Sequence, residues 1–175
     1  MSFLAQLRDR IACRRARAYE RFRQELHCDR LLKSLCQICD QGLRELLDRY
    51  PLPRQASLAA LGGYGRGELY PHSDVDLLIL LQREPNAEDI DRIQTLVAAL
   101  WDIGLAPSHN VATPAQCLEQ ASQDITTETA LLESRWLAGS RLLLRHAQQQ
   151  LQSQMDPQAF FLAKQAEQQQ RGAEV

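Results

Sequence analysis

Asp74 and Asp76 are the residues best suited by type and spacing to do chemistry, because they open an otherwise apolar run, Asp-Val-Asp-Leu-Leu-Ile-Leu-Leu81. Alternate residues of a strand project to one face, so the two carboxylates should stand side by side while Val75 and Leu77 anchor the opposite face in the core. Paired oxygen donors of this kind suit magnesium, which takes one or two carboxylates and completes its shell with phosphate oxygens and water. A pair of such ions activates an attacking hydroxyl and steadies a leaving pyrophosphate. Ten residues separate Asp74 from the preceding Gly62-Gly63. Adjacent glycines adopt backbone angles closed to other residues and bare their amide N–H groups, which suits a triphosphate. A helical turn beginning near Arg66-Gly-Glu would aim further amides at the same anion, with Arg66 as a charged clamp. The bland alternative has Asp74 capping a turn and Asp76 solvated. Against it, an apolar strand tolerates two acids at its start only when something compensates their charge.

Strands and helices must position these groups. Ser57–Leu61 and Val75–Leu81 read as strands covered on both faces, since neither leaves a polar side for water. Leu105–Ala112 is a third strand, interrupted by Pro107 and therefore expected at an edge. Ahead of them, residues 3 to about 50 carry apolar positions at helical spacing and predict either two helices or one broken near His27–Asp29, stopped by Pro51 and Pro53. Ala87 to about Ile103 predicts another helix with Ile90, Ile93, Leu96, Val97, Leu100 and Trp101 on its inner stripe. Thr113 suits an N-cap and Pro114 a first helical position, and the chain is expected to be helical from there onward, divided near Asp124, Gly139 and Pro157. The expected organisation is a helical N-terminal region at 1–54, a core at 55–122 and a C-terminal helical segment at 123–175.

Composition limits the alternatives. With 45% hydrophobic and 24% charged residues and a formal charge of -2, the sequence is that of a folding globular chain, and the want of excess basic residues argues against general nucleic-acid binding. Seven arginines between Arg8 and Arg23 form a local exception, either a basic surface for an acidic partner or a solvated face interleaved with Asp9, Glu20 and Glu25. Cysteines at 13, 28, 36, 39 and 117, an odd number with no apolar leader before them, suggest the reducing cytoplasm. Cys36 and Cys39 lack a second pair at zinc spacing and read as buried helix thiols. No run approaches the length of a membrane span.

The stretch Leu61-Gly-Gly-Tyr-Gly-Arg-Gly-Glu-Leu-Tyr-Pro-His-Ser-Asp-Val-Asp-Leu-Leu-Ile-Leu80 resembles the signature of the uridylyltransferase/uridylyl-removing family that modifies the PII nitrogen-regulatory protein. Leu100–Leu105, Asp124–Thr126, Leu132–Arg135 and Phe161–Lys164 extend the likeness. The resemblance implies an α+β fold of the DNA polymerase β-like nucleotidyltransferase type, with a small mixed sheet, a helical N-terminal extension and a C-terminal helical bundle. It further implies UTP bound over Gly62 and Gly63, Mg2+ on Asp74 and Asp76, and Ser73 and Arg66 near the phosphates. The acceptor would be a tyrosine hydroxyl of PII, with pyrophosphate released.

Two departures from that family stand out. Superfamily members add a third carboxylate on a neighbouring strand, and relatives carry Glu where this chain has Ala106. Asp124 or Glu133 is a candidate substitute, and each is equally a candidate helix cap or ion-pair partner of Arg135. His109 reads as a structural hydrogen-bonding residue rather than a ligand. Relatives also continue into an HD-type hydrolase domain and paired ACT domains, so the chain is expected to be a piece truncated before them. Three rival readings are a nucleotidyltransferase with another acceptor, a nucleotide-binding regulatory module without catalysis, and a helical interaction protein.

Overall fold

The computed structural model describes residues 2–155 and, beyond them, 158, 161, 162, 164–166, 168 and 169. In chain order its elements are α1 (Phe3–Glu25), α2 (Cys28–Arg49), β1 (Ser57–Ala60), α3 (Gly62–Gly65), β2 (Val75–Leu80), α4 (Ala87–Asp102), β3 (Pro107–Ala112), α5 (Pro114–Gln123), α6 (Ile125–Leu132), β4 (Arg135–Gly139) and α7 (Arg141–Gln154). The strands form one mixed sheet in the order β3-β2-β1-β4. β1 is antiparallel to β2 and β4, whereas β3 runs parallel to β2. Such a parallel neighbour needs a crossover, and α4 supplies it.

The wholly apolar β2 makes sense as an interior strand. Val75, Leu77 and Ile79 join a core built with α1, α2 and α4, while Leu78 and Leu80 join a second core built with α5, α6 and α7. Alternation along a strand sends successive side chains to opposite faces, so helices on both faces demand apolar residues at every position. Each such leucine or isoleucine contributes on the order of 1.5–3 kcal/mol by leaving water. Asp76 belongs to the same side as Leu78 and Leu80, and Asp74 lies one residue ahead of the strand.

Helix ends follow local chemistry. Ser2 caps α1 through Ala5 N, and α1 stops where Leu26 turns left-handed at φ 56°. Asn86 with Asp89, and Thr113 with Gln116, form reciprocal capping boxes at α4 and α5, the latter with Pro114 at its start. β3 lies at the edge of the sheet, as Pro107 requires.

Three expectations are corrected. The chain is not helical throughout after Thr113, because Arg135–Gly139 pairs with β1 as β4. Only Trp136, Leu137 and Ala138 mark that strand, too short an apolar run to announce itself. On α4 the packed face is Ile93, Leu96, Ala99 and Leu100, whereas Ile90 and Trp101 are exposed, Trp101 at 58%. The segment that was to begin near Arg66 begins at Gly62, and Arg66 is its C-cap. The division expected near Pro157 lies outside the described residues.

Several arginines of α1 are partnered. Arg10 meets Glu45 and Arg14 meets Gln41 on α2, Arg23 pairs with Glu20 at 3.0 Å, and Arg15 donates to the Gly104 carbonyl at 3.2 Å. Cys36, Cys39 and Cys117 are buried free thiols, and burial above all pushes Cys39 up to about 12 and Cys117 to about 11. Thiols so protonated are poor nucleophiles and poor metal ligands. Among the described residues no helix is long and apolar enough to cross a membrane.

Candidate active site

Sheet register brings the glycines to the acids. Ala60 lies opposite Leu77, and one residue further on the amide of Leu61 donates to the Asp76 carbonyl at 2.9 Å. The chain then turns sharply into α3, with Gly62 at φ +56°. A Cβ placed on Gly62 would stand 3.1 Å from Asp76 Oδ2, and one on Gly63 would stand 2.9 Å from the Glu68 carbonyl. The first glycine is required by its backbone angle and the second by the returning chain, whose Glu68 amide donates to Gly63 O at 2.9 Å. The amides of Gly62 and Gly63 open the turn and therefore have no intrahelical acceptor.

After the turn, Ser73 N donates to Tyr70 O at 3.2 Å and His72 takes φ 63°, a tight reversal that delivers Asp74 to the head of β2. Gly63, Tyr64, Glu68, Leu69, Tyr70, Ser73, Asp74 and Asp76 line a recess of about 260 Å³. Desolvation, and then the negative charge of Asp74, raise the Asp76 carboxyl above its ordinary value. The two acids thus feel one another, and among the described residues neither side chain has a hydrogen-bond or ion-pair partner. This uncompensated pair fits a divalent cation, whose charge would offset both the burial of Asp76 and the repulsion by Asp74.

Comparison with known proteins matches this arrangement to a family. A profile described as nucleotidyltransferase domain matches residues 39–124, which include the turn, the loop and both acids. Along 97% of its length the chain is 57% identical to the bifunctional uridylyltransferase/uridylyl-removing enzyme of Bordetella avium (strain 197N). Residues 39–124 belong to the nucleotidyltransferase family. The enzyme of the same description from Chromobacterium violaceum is 43% identical over 168 residues, 96% of this chain. The chain spans about a fifth of the length of these relatives, 20% in each case. A solved structure of a toxin-antitoxin with AMP-PNP is similar at a TM-score of 0.41 and 17% identity, covering 78% of this chain and 97% of that one.

Not every expected residue joins the nucleotidyltransferase recess. Ser73 lines it, and Gly62 borders Asp76, but Arg66 is half-exposed and pairs with Glu133 at 3.3 Å. Asp124 caps α6, accepting from Thr126 N, Thr127 N and the Thr127 hydroxyl, and these hydrogen bonds hold its carboxyl below the usual range. Neither Asp124 nor Glu133 is the partner of Arg135. That role falls to Asp40 of α2 at 2.8 Å, a residue the sequence did not single out because 95 positions separate the two. His109 is exposed, without a hydrogen-bond partner among the described residues, and so is not the structural hydrogen-bonding residue expected. Ala106 accepts from Val75 N at 2.8 Å, which sets it level with Asp74, and Ser108 is the register partner of Asp76. Among the described residues no group of three or more His, Cys, Asp or Glu side chains is placed to hold a metal ion.

Proposed function

We propose that this chain is the nucleotidyl-transferring part of a uridylyltransferase, moving UMP from UTP to a tyrosine hydroxyl of the PII regulatory protein with release of pyrophosphate. The observation that carries the reading is that Asp74 and Asp76 line one recess together with Gly63, with Gly62 next to Asp76. The uridylyltransferase description of relatives up to 57% identical supports the choice of nucleotide.

Each residue has a task in this reading. The free amides of Gly62 and Gly63 hold phosphate oxygens, and the Ser73 hydroxyl adds a donor at the mouth of the recess. Asp74 and Asp76 hold Mg2+, which when bound supplies positive charge against the triphosphate and the leaving group. Arg66 stands beside Gly63, its Nη2 3.9 Å from where a Cβ would be, and serves as a phosphate clamp on exchanging Glu133 for the anion. The phenolic oxygen of the acceptor, giving up its proton to solvent, bonds to the α-phosphorus as the bond from that phosphorus to the α–β bridging oxygen of UTP breaks and pyrophosphate leaves. Positioning and charge neutralisation do most of the work in such transfers.

A second reading, a regulatory module that binds nucleotide without catalysis, is favoured by one observation, Ala106 level with Asp74 where a third acid would stand. Incubating the chain with PII, UTP labelled in its α-phosphate and magnesium separates the two. Metal-dependent labelling of a PII tyrosine supports transfer; UTP binding with no labelling supports the regulatory module. Labelling of some other acceptor keeps the nucleotidyltransferase reading and removes PII.

A further inference from the structure

We infer that Arg135, held by Asp40, is a positioning residue that fixes the glycine turn through the backbone carbonyl of Tyr64. Its consequence for nucleotide rests on the function proposed above.

The turn needs such a support. α3 is four residues long, and a single turn of helix fixes many backbone angles for very few hydrogen bonds, so it does not persist alone. Through Tyr64 it joins a polar cluster shared with α2 and β4. Arg135 of β4 donates from Nη1 to Asp40 Oδ2 at 2.8 Å and from Nη2 to Asp40 Oδ1 at 3.2 Å. The same Nη2 reaches the Tyr64 carbonyl at 3.1 Å and lies 3.3 Å from Cys36 Sγ. Tyr64 closes the circuit, its hydroxyl donating to Asp40 Oδ1 at 2.6 Å and its ring lying 5.2 Å from the guanidinium carbon. Tyr64 is 1% exposed. Both oxygens of Asp40 and the backbone of the turn are therefore fixed to one planar group.

Geometry distinguishes this cluster from ordinary packing. A guanidinium offers donors in a rigid fork, so it can hold a carboxylate and a carbonyl at once, which the single ammonium of lysine cannot reproduce. Desolvation alone would lower the Arg135 pKa, but the hydrogen bond and charge of Asp40 outweigh it, and the net shift is upward. Partly buried ion pairs add little net stability over apolar replacements, and their best-attested service is to specify one arrangement. The arrangement specified here is that of Tyr64, two residues after Gly62 and itself part of the recess.

Amide hydrogen exchange and UTP binding on the intact chain test the inference together. The amides of Gly65 and Arg66, bonded to Leu61 O and Gly62 O, report on the turn, and that of Leu78 in β2 serves as the internal reference. In Arg135→Met, Gly65 and Arg66 are expected to exchange about tenfold faster with Leu78 unchanged, the consequence of losing charged hydrogen bonds from a local opening unit. Binding of UTP with magnesium should weaken by a similar factor. Arg135→Lys retains the charge and a contact to Asp40, keeps the fold secure, and should give an intermediate acceleration. Wild-type exchange at the turn in both variants overturns the inference, as does equal acceleration at Leu78, which would mark a merely structural role. A loosened turn with undiminished UTP affinity overturns its link to the site. Failure of the wild-type chain to bind UTP refutes the functional reading alone, and the exchange rates then still decide whether Arg135 holds the turn.

Discussion

The amide of Leu61 donates to the carbonyl of Asp76 across 2.9 Å, so the last rung of the β1–β2 ladder ties the glycine turn to the strand that bears the acid. Turn and carboxylate cannot shift independently. This rung explains why a four-residue strand, a single helical turn and a loop suffice to build a polar recess against an apolar sheet.

Replacing Asp74 or Asp76 by Asn should reduce UMP transfer by at least ~100-fold while leaving the fold intact. Stability should respond in a particular direction at Asp76. Its folded pKa is raised, so its ionised form disfavours folding, and stability present below the ordinary carboxylate range is lost as pH rises through the folded pKa. Asp76→Asn removes that loss. Thermal melts should therefore show the variant matching or exceeding wild type at pH 8, with the advantage shrinking toward pH 4.

Gly62 and Gly67 both have positive φ, but only Gly62 faces an acid. Gly67→Ala meets open space and should cost only the ~1–2 kcal/mol of left-handed backbone strain. Gly62→Ala adds a methyl group 3.1 Å from Asp76 Oδ2 and should lose nucleotide binding as well. Chemical denaturation and UTP titration of the two variants measure the difference.

Asp124 caps α6 through three hydrogen bonds. Asp124→Ala should lower the melting temperature at pH 7 without altering the magnesium concentration needed for half-maximal transfer. Because hydrogen bonds depress its folded pKa, the stability it confers is present above the ordinary carboxylate range and lost as pH falls through the lower folded value. The difference in melting temperature between variant and wild type should vanish in acid.

Ala106, level with Asp74, is the position from which a third carboxylate would enter the site. Ala106→Glu should lower the magnesium concentration required for transfer by roughly tenfold, since each added carboxylate strengthens attraction for a hard cation. A titration of activity against magnesium reads this directly. An unchanged requirement would place the metal elsewhere.

Much of this was legible in the residues. Asp-Val-Asp-Leu announces an alternating strand whose acids share a face, and the unbroken apolar run after it announces helices on both sides, because a sheet face open to water would show polar residues. Pro107 marks an edge, and Thr113-Pro114 marks a helix start for reasons that are entirely local. What escaped depends on distance along the chain. Arg66 lies 67 residues from Glu133, and Arg135 lies 95 from Asp40, so no spacing rule links either pair. β4 escaped for a related reason, since its membership in the sheet comes from pairing with β1 rather than from its own short apolar pattern.

Calorimetric titration of UTP into the chain, with and without magnesium and repeated for Asp74→Asn and Asp76→Asn, tests most directly whether acid pair and glycine turn form one metal–triphosphate site. Binding that requires magnesium and is lost in both variants is the predicted result. Equal affinity without the metal, or undiminished affinity in either variant, would contradict it.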